Sequence, residues 1–141
     1  MNESQLGAWG EHLVIAELLQ RGFCVNVPVV DVSGYDVLIT TETSTHWRLQ
    51  IKTCRQPAQK QHTIGYRFNA RSKRGSDFYI LCCLFHRSFY IIPTCDMPVA
   101  VTLSGDGSGN SKLEKYFQAF HLLSNESSNK VQDAGIKVHA P

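Results

Sequence analysis

The chain has 141 residues, the size of one ordinary domain, and 43% of them are hydrophobic, enough for a real core. Charged residues make up 18% and the net charge is +2, which excludes a chain disordered throughout and says little about partners by itself. No apolar run reaches the roughly 20 residues that span a bilayer, and the N-terminus shows no basic-then-apolar signal region. The expectation is a soluble cytoplasmic protein with no membrane partner.

The first predicted element is a helix from Ser4 to Arg21, with Val14, Ile15 and Leu18 on its buried face and Gly22 as its terminator. Gly7 and Gly10 lie inside it, each costing about 1 kcal/mol relative to Ala. A close approach of the helix backbone to a sheet or ligand would offset that cost. Phe23 to Val30 reads as extended and Ser33-Gly34 as a turn. Tyr35 to Thr41 reads as a second strand, and Trp47 to Thr53 as a third. In the third strand Trp47, Leu49 and Ile51 alternate with Arg48, Gln50 and Lys52, the period of a half-buried strand.

Cys54 to Gly75 has little periodicity and is read as loops, with room for a short helix or strand. Asp77 to Phe85 is almost wholly apolar, a central strand, and a turn at His86-Arg87 joins it to a strand from Ser88 to Pro93. Ser104 to Ser111 is rich in Gly and Ser and is expected to be a flexible loop. Leu113 to Leu123 is predicted as a second helix with Leu113, Phe117 and Phe120 inward. The fold class expected is α/β or α+β, a mixed central sheet flanked by helices. Residues 1–123 would form the single domain, and 124–141 a polar tail.

Five cysteines (Cys24, Cys54, Cys82, Cys83 and Cys95) form no CxxC pair and are expected as free thiols. A zinc site from Cys82, Cys83, His86 and Cys95 would lack the usual ligand spacing. Charge is distributed unevenly. No Asp or Glu occurs between Glu42 and Asp77, an interval that holds eight of the fourteen Lys and Arg. Such clustering is the footprint of a phosphate-binding surface. Arg55, Lys60, Arg67, Arg71, Lys73 and Arg74 are the candidate DNA contacts, with Tyr66 and Phe68 available to stack on bases. For Trp47, core packing is the better reading.

One set of polar residues stands out against this background. Asp36 opens the second strand after the Gly34-Tyr35 turn, Gln50 and Lys52 share one face of the third, and Glu11 lies beside the buried face of the helix. A carboxylate there is costly without a cation partner. Hydrolysis of a phosphodiester needs a metal, an activated water and positive charge for the transition state. Hard oxygen ligands on neighbouring strands, with a Lys two residues on, supply that arrangement.

Gly10-Glu11, Gly34-Tyr35-Asp36 and Gln50-Ile51-Lys52 resemble the PD-(D/E)XK nuclease superfamily, most of all its group I intron-associated homing endonuclease branch. Asp77 before a hydrophobic strand and the strand ending at Pro93 resemble that branch too. The resemblance covers about Gly7 to Pro93. It implies a restriction-endonuclease-like core and a Mg²⁺-dependent DNA endonuclease, with Mn²⁺ as a substitute and no organic cofactor. Asp36 would be the principal metal ligand, with the Gln50 amide oxygen and the Ile51 carbonyl beside it. Lys52 would orient the attacking water and stabilise the phosphate, and Glu11 would hold a metal-bound water or a second metal. Gln50 stands where the superfamily usually has Asp or Glu, which removes one negative charge and weakens metal affinity. The expected substrate is double-stranded DNA, cut at a specific site by a homodimer or homotetramer. The strand Tyr79 to Phe85 and the second helix are candidate interface elements. A Holliday-junction resolvase or repair nuclease, and a non-cleaving DNA-binding module with a decayed site, are the alternatives.

Overall fold

Asn2 starts the first helix with a capping box. Its Oδ1 accepts from Gln5 N at 2.8 Å, and its own N–H donates to Gln5 Oε1 at 2.9 Å. In the computed structural model, which describes residues 1–30, 34–71 and 75–124, this helix is α1 (Glu3–Gln20). Gly22, at φ +92°, ends it as expected: Gly22 N donates to the Leu19 carbonyl and Phe23 N to the Leu18 carbonyl. Gly10, Val14 and Leu18 form its buried stripe. Gly10 explains itself in the packing, because a Cβ there would lie 1.9 Å from Thr53 Oγ1. The helix backbone rests directly on a strand. Gly7 meets nothing within 4 Å and has no such explanation.

A five-stranded sheet follows, in the order β1 (Cys24–Asn26), β2 (Val37–Thr40), β3 (His46–Cys54), β6 (Phe78–Cys83) and β7 (Ser88–Pro93). All pairs are antiparallel except β3 with β6, so the sheet is mixed. Its first strand is shorter than the extended run in the sequence implies. One face carries Val37, Ile39, Leu49, Ile51, Ile80 and Ile91 against α1. The opposite face carries Tyr79, Leu81, Tyr90 and Ile92.

That second face is covered by a three-stranded sheet, β4 (Ala58–Lys60), β5 (Thr63–Asn69) and β8 (Ala100–Leu103), where helices were expected. The basic stretch is thus largely strand. Arg67, Asn69 and Arg71 alternate with Tyr66, Phe68 and Ala70, a period of two hidden by the polar turn before it. Tyr66 and Phe68 are buried in the second core cluster and cannot stack on bases.

The predicted second helix is also broken. A 3₁₀ turn (Lys112–Tyr116) and a short α2 (His121–Ser124) flank an extended Phe117 and a left-handed Gln118 at φ +52°. Phe117 bridges Tyr90 in strand fashion, and Gln118 exchanges two hydrogen bonds of 2.7 Å with the Phe89 backbone. The exposed edge of β7 takes those hydrogen bonds in preference to helix continuation. Ser104 to Ser111 is pinned in place. Glu114 accepts from Ser104 N and Oγ, and Asp106 accepts from Ser108 N and Oγ, which hold its carboxyl down at about 2. Of the segment from Tyr79 to Phe85, the part in β6 runs buried inside the sheet between β3 and β7, and Phe85 beyond it is exposed. The tail expected over 124–141 lies outside the described residues apart from Ser124, which ends α2; Ser33, Lys73 and Arg74 also lie outside them. Among the described residues no helix is long and apolar enough to cross a membrane.

Candidate active site

The backbone of β3 sorts its neighbours by parity. Arg48 accepts from Asp77 N on the β6 side at 2.7 Å, and Leu49 accepts from Asp36 N on the β2 side at 2.8 Å. Amide and carbonyl of one strand residue point to the same edge. The Ile51 peptide groups therefore face the β2 edge, beyond the point where β2 begins at Val37. Asp36 fills that position. Its Oδ2 accepts from Ile51 N at 2.8 Å and from Gln50 Nε2 at 2.9 Å.

Glu11 approaches from α1, brought near by the Gly10–Thr53 contact. Its carboxyl is raised above the ordinary 4.5, first by burial and then by the charge of Asp36, with His12 opposing. A carboxyl raised by burial and by a neighbouring carboxylate is poised for a cation. Lys52 follows Gln50 on the same face of β3, and both line an open groove of about 430 Å³ with Gly34, Asn69, Arg71 and Tyr79. All four of Glu11, Asp36, Gln50 and Lys52 are half-buried.

The donor set fits a hard divalent ion. Two carboxylates, an amide and a strand carbonyl are all oxygen donors. In the present hydrogen bond Gln50 offers Nε2 to Asp36; a half-turn of the amide would offer Oε1 instead. Among the described residues no three His, Cys, Asp or Glu gather into a metal site. A metal here would depend on the amide and carbonyl to complete what Glu11 and Asp36 begin. That also removes the zinc alternative. Cys82 and Cys83 are buried on opposite faces of β6, Cys95 is exposed, and burial raises the Cys82 thiol to about 12 and Cys83 further.

A model of the PD-(D/E)XK endonuclease family matches residues 1–123. The chain belongs to that family. A solved bacterial homing endonuclease, I-Ssp6803I, shares its fold with a TM-score of 0.77 at 20% identity, over 94% of this chain and 98% of that one. A search of curated proteins finds no match.

In this PD-(D/E)XK chain Asp36, at the start of β2, meets Gln50 and Ile51 from β3 and Glu11 from α1, and Lys52 shares a groove with Gln50. Of the expected DNA contacts, Arg55, Lys60, Arg67 and Arg71 are exposed, and Arg71 reaches the groove itself. Arg48 is engaged elsewhere, paired to Asp77 at 3.3 Å, where Asp77 also accepts from Arg48 N. Asp77 thus ties β3 to the start of β6. Trp47 packs edge-on to Phe78 in the core, as read from the sequence. Asn69 and Tyr79 are groove residues that sequence reasoning missed. The alternation from Arg67 to Arg71 signals the first. The second could be placed only by pairing β6 with β3, which sets Tyr79 beside Gln50.

Proposed function

We propose that this protein is a divalent-metal-dependent endonuclease that hydrolyses phosphodiester bonds in double-stranded DNA at a specific site. The single observation behind this reading is Asp36, held by Ile51 and Gln50 and set against Glu11, with Lys52 beside Gln50 in one groove. Mg²⁺ is the proposed ion, with Mn²⁺ a working substitute, since oxygen donors of this kind suit both. When bound, the metal would polarise the scissile phosphate and lower the pKa of water. Glu11, Asp36, Gln50 and the Ile51 carbonyl would hold it. Lys52 places an ammonium over the groove, where it orients the attacking water and stabilises negative charge growing on the phosphate. The exposed cations of the basic stretch hold the flanking backbone.

Site-specific cleavage is supported by the sequence resemblance to the homing branch and by the fold shared with a bacterial homing endonuclease. Cutting both strands requires two active sites, so the working form proposed is a homodimer or homotetramer. The proposed setting is the cytoplasm, where five free thiols are stable.

The test is cleavage of plasmid and branched DNA with Mg²⁺, Mn²⁺ or EDTA, beside Asp36→Ala. Metal-dependent cuts that vanish in the variant support the nuclease, and preference for branched DNA would favour a resolvase. Tight binding without cuts on a DNA pool that contains the selected site would overturn catalysis and leave a binding module, with Gln50 as the missing charge.

A further inference from the structure

We infer that the ribbon of β4 and β5 reads base edges in the major groove of duplex DNA. The inference rests on the nuclease reading for its ligand class and goes beyond it in assigning specificity.

The ribbon has no role in the core that explains its composition. Ala58, Gln59 and Lys60 are all exposed, and β4 pairs with β5 alone. Gln61 and His62 form a two-residue turn, with Gln61 at φ +56°, and Thr63 Oγ1 donates to the Lys60 carbonyl at 3.1 Å to fix the tip. Anchorage begins at Gly65. A Cβ there would come within 2.8 Å of the Leu103 carbonyl, so β5 lies hard against β8 from that point on. Before it, the two strands stand clear of the body. A two-stranded ribbon is of a size that the major groove, about 12 Å wide, admits.

The exposed chemistry matches base edges. Gln59 and Gln61 carry amides, each able to donate and accept together, the pattern that pairs with adenine N6 and N7. Ile64 lies directly across from Gln59 and is 66% exposed. An aliphatic side chain there has no packing role, and contact with a thymine methyl supplies one. The ribbon is free of acids, with Lys60 beside the tip and Arg67 further along β5 for phosphates. Its far end is the catalytic groove itself, through Asn69 and Arg71. Arg71 lies nine positions after His62, a span of at most about 30 Å at about 3.3 Å per residue. The bases read should therefore lie within about one helical turn of the phosphate at Lys52.

The test is selection of duplexes from a randomised pool by the full chain in EDTA, repeated with Gln59→Ala/Gln61→Ala and with Ile64→Ala. All three positions are exposed, and a thermal melt verifies that the variants fold. The expected result is a motif selected by the wild type whose preference falls about tenfold or more in the double variant. Affinity for unselected DNA should stay within about threefold, since phosphate contacts remain. An unchanged motif, an equal loss on selected and unselected DNA, or no motif from the wild type would overturn the inference. A wild type that selects a motif affected by the ribbon yet never cuts it with Mg²⁺ overturns the nuclease reading alone.

Discussion

Glu114 and Asp36 are both carboxylates drawn in from solvent, and the molecule treats them in opposite ways. Glu114 is 7% exposed, and neutral donors meet both of its oxygens: Tyr90 OH and Ser104 Oγ at Oε1, Ser104 N at Oε2. Gly105 N and Gly107 N then donate to the Tyr90 hydroxyl, so the Gly-rich loop closes around one acid. Asp36 is half-buried, takes Ile51 N and the Gln50 amide on one oxygen, and has a second carboxylate, Glu11, near enough to feel its charge. A buried charge surrounded by donors is a fold element. A carboxylate set against another carboxylate retains a repulsion that a proton or a metal cation relieves, and such perturbed pairs mark functional sites. The contrast predicts that one site should be read in stability and the other in activity.

The largest effect should come from Lys52→Ala. Removing the only ammonium on that face of β3 should slow single-turnover cleavage about 1,000-fold, roughly 4 kcal/mol of transition-state stabilisation. DNA affinity should change little, and the melting temperature should move by no more than about 2 °C, because a half-buried lysine carries little of the core. Rapid-quench kinetics beside calorimetry would check both. A large loss of melting temperature would place the groove among the fold elements and dissolve the contrast.

Glu114→Ala is the reciprocal test. It strands Ser104 N and the Tyr90 hydroxyl in a buried place, at a cost of about 3 kcal/mol. Chemical denaturation should show that loss, and Glu114→Gln should recover part of it by keeping an acceptor. Cleavage per folded molecule should stay at the wild-type rate. A selective loss of cleavage without loss of stability would make the loop part of the active machinery.

The two regions also differ in how far the sequence revealed them. Asp36, Gln50 and Lys52 were legible because strand parity fixes faces, and a polar face on an otherwise apolar strand stands out. Glu11 was legible by its place beside Val14 and Ile15. The Glu114 network was not, since a Gly- and Ser-rich segment reads as loose until its long-range acid is known. The break at Phe117 and Gln118 was hidden for a similar reason: local helical spacing lost to hydrogen bonds offered by the edge of β7. The basic stretch misled through composition, where abundant Arg and Lys masked a strand buried on one side. Arg55, Lys60, Arg67 and Arg71 do lie exposed, but on a backbone that is largely strand rather than the loops expected.

A smaller effect should follow Gly10→Ala. The new Cβ meets Thr53, whose branched side chain has little freedom to retreat, so about 1–3 kcal/mol of overpacking is expected. The helix would also lift Glu11 away from Asp36. Cleavage should therefore fall at temperatures where the variant is still fully folded, measurable by comparing melting curves with initial rates. Unchanged rates would show that Glu11 needs no such close placement.

The smallest effect, and the sharpest test of the contrast, is the pH dependence of Glu11. Burial first and Asp36 second raise its carboxyl above 4.5. The folded state then binds this proton more tightly than the unfolded chain. Its contribution to stability is present below about pH 4.5 and is lost as pH rises through the raised value. Glu11→Gln cannot ionise, so without metal it should gain stability relative to wild type across that rise. Added Mg²⁺ should raise the wild-type melting temperature and raise that of the variant less, by mass action on a site that has lost a ligand. Melting curves from pH 4 to 8, with EDTA and with Mg²⁺, would show both trends. A variant less stable than wild type at pH 7 in EDTA would mean that Glu11, like Glu114, is already satisfied by the protein, and that the repulsion assigned to this pair is not there.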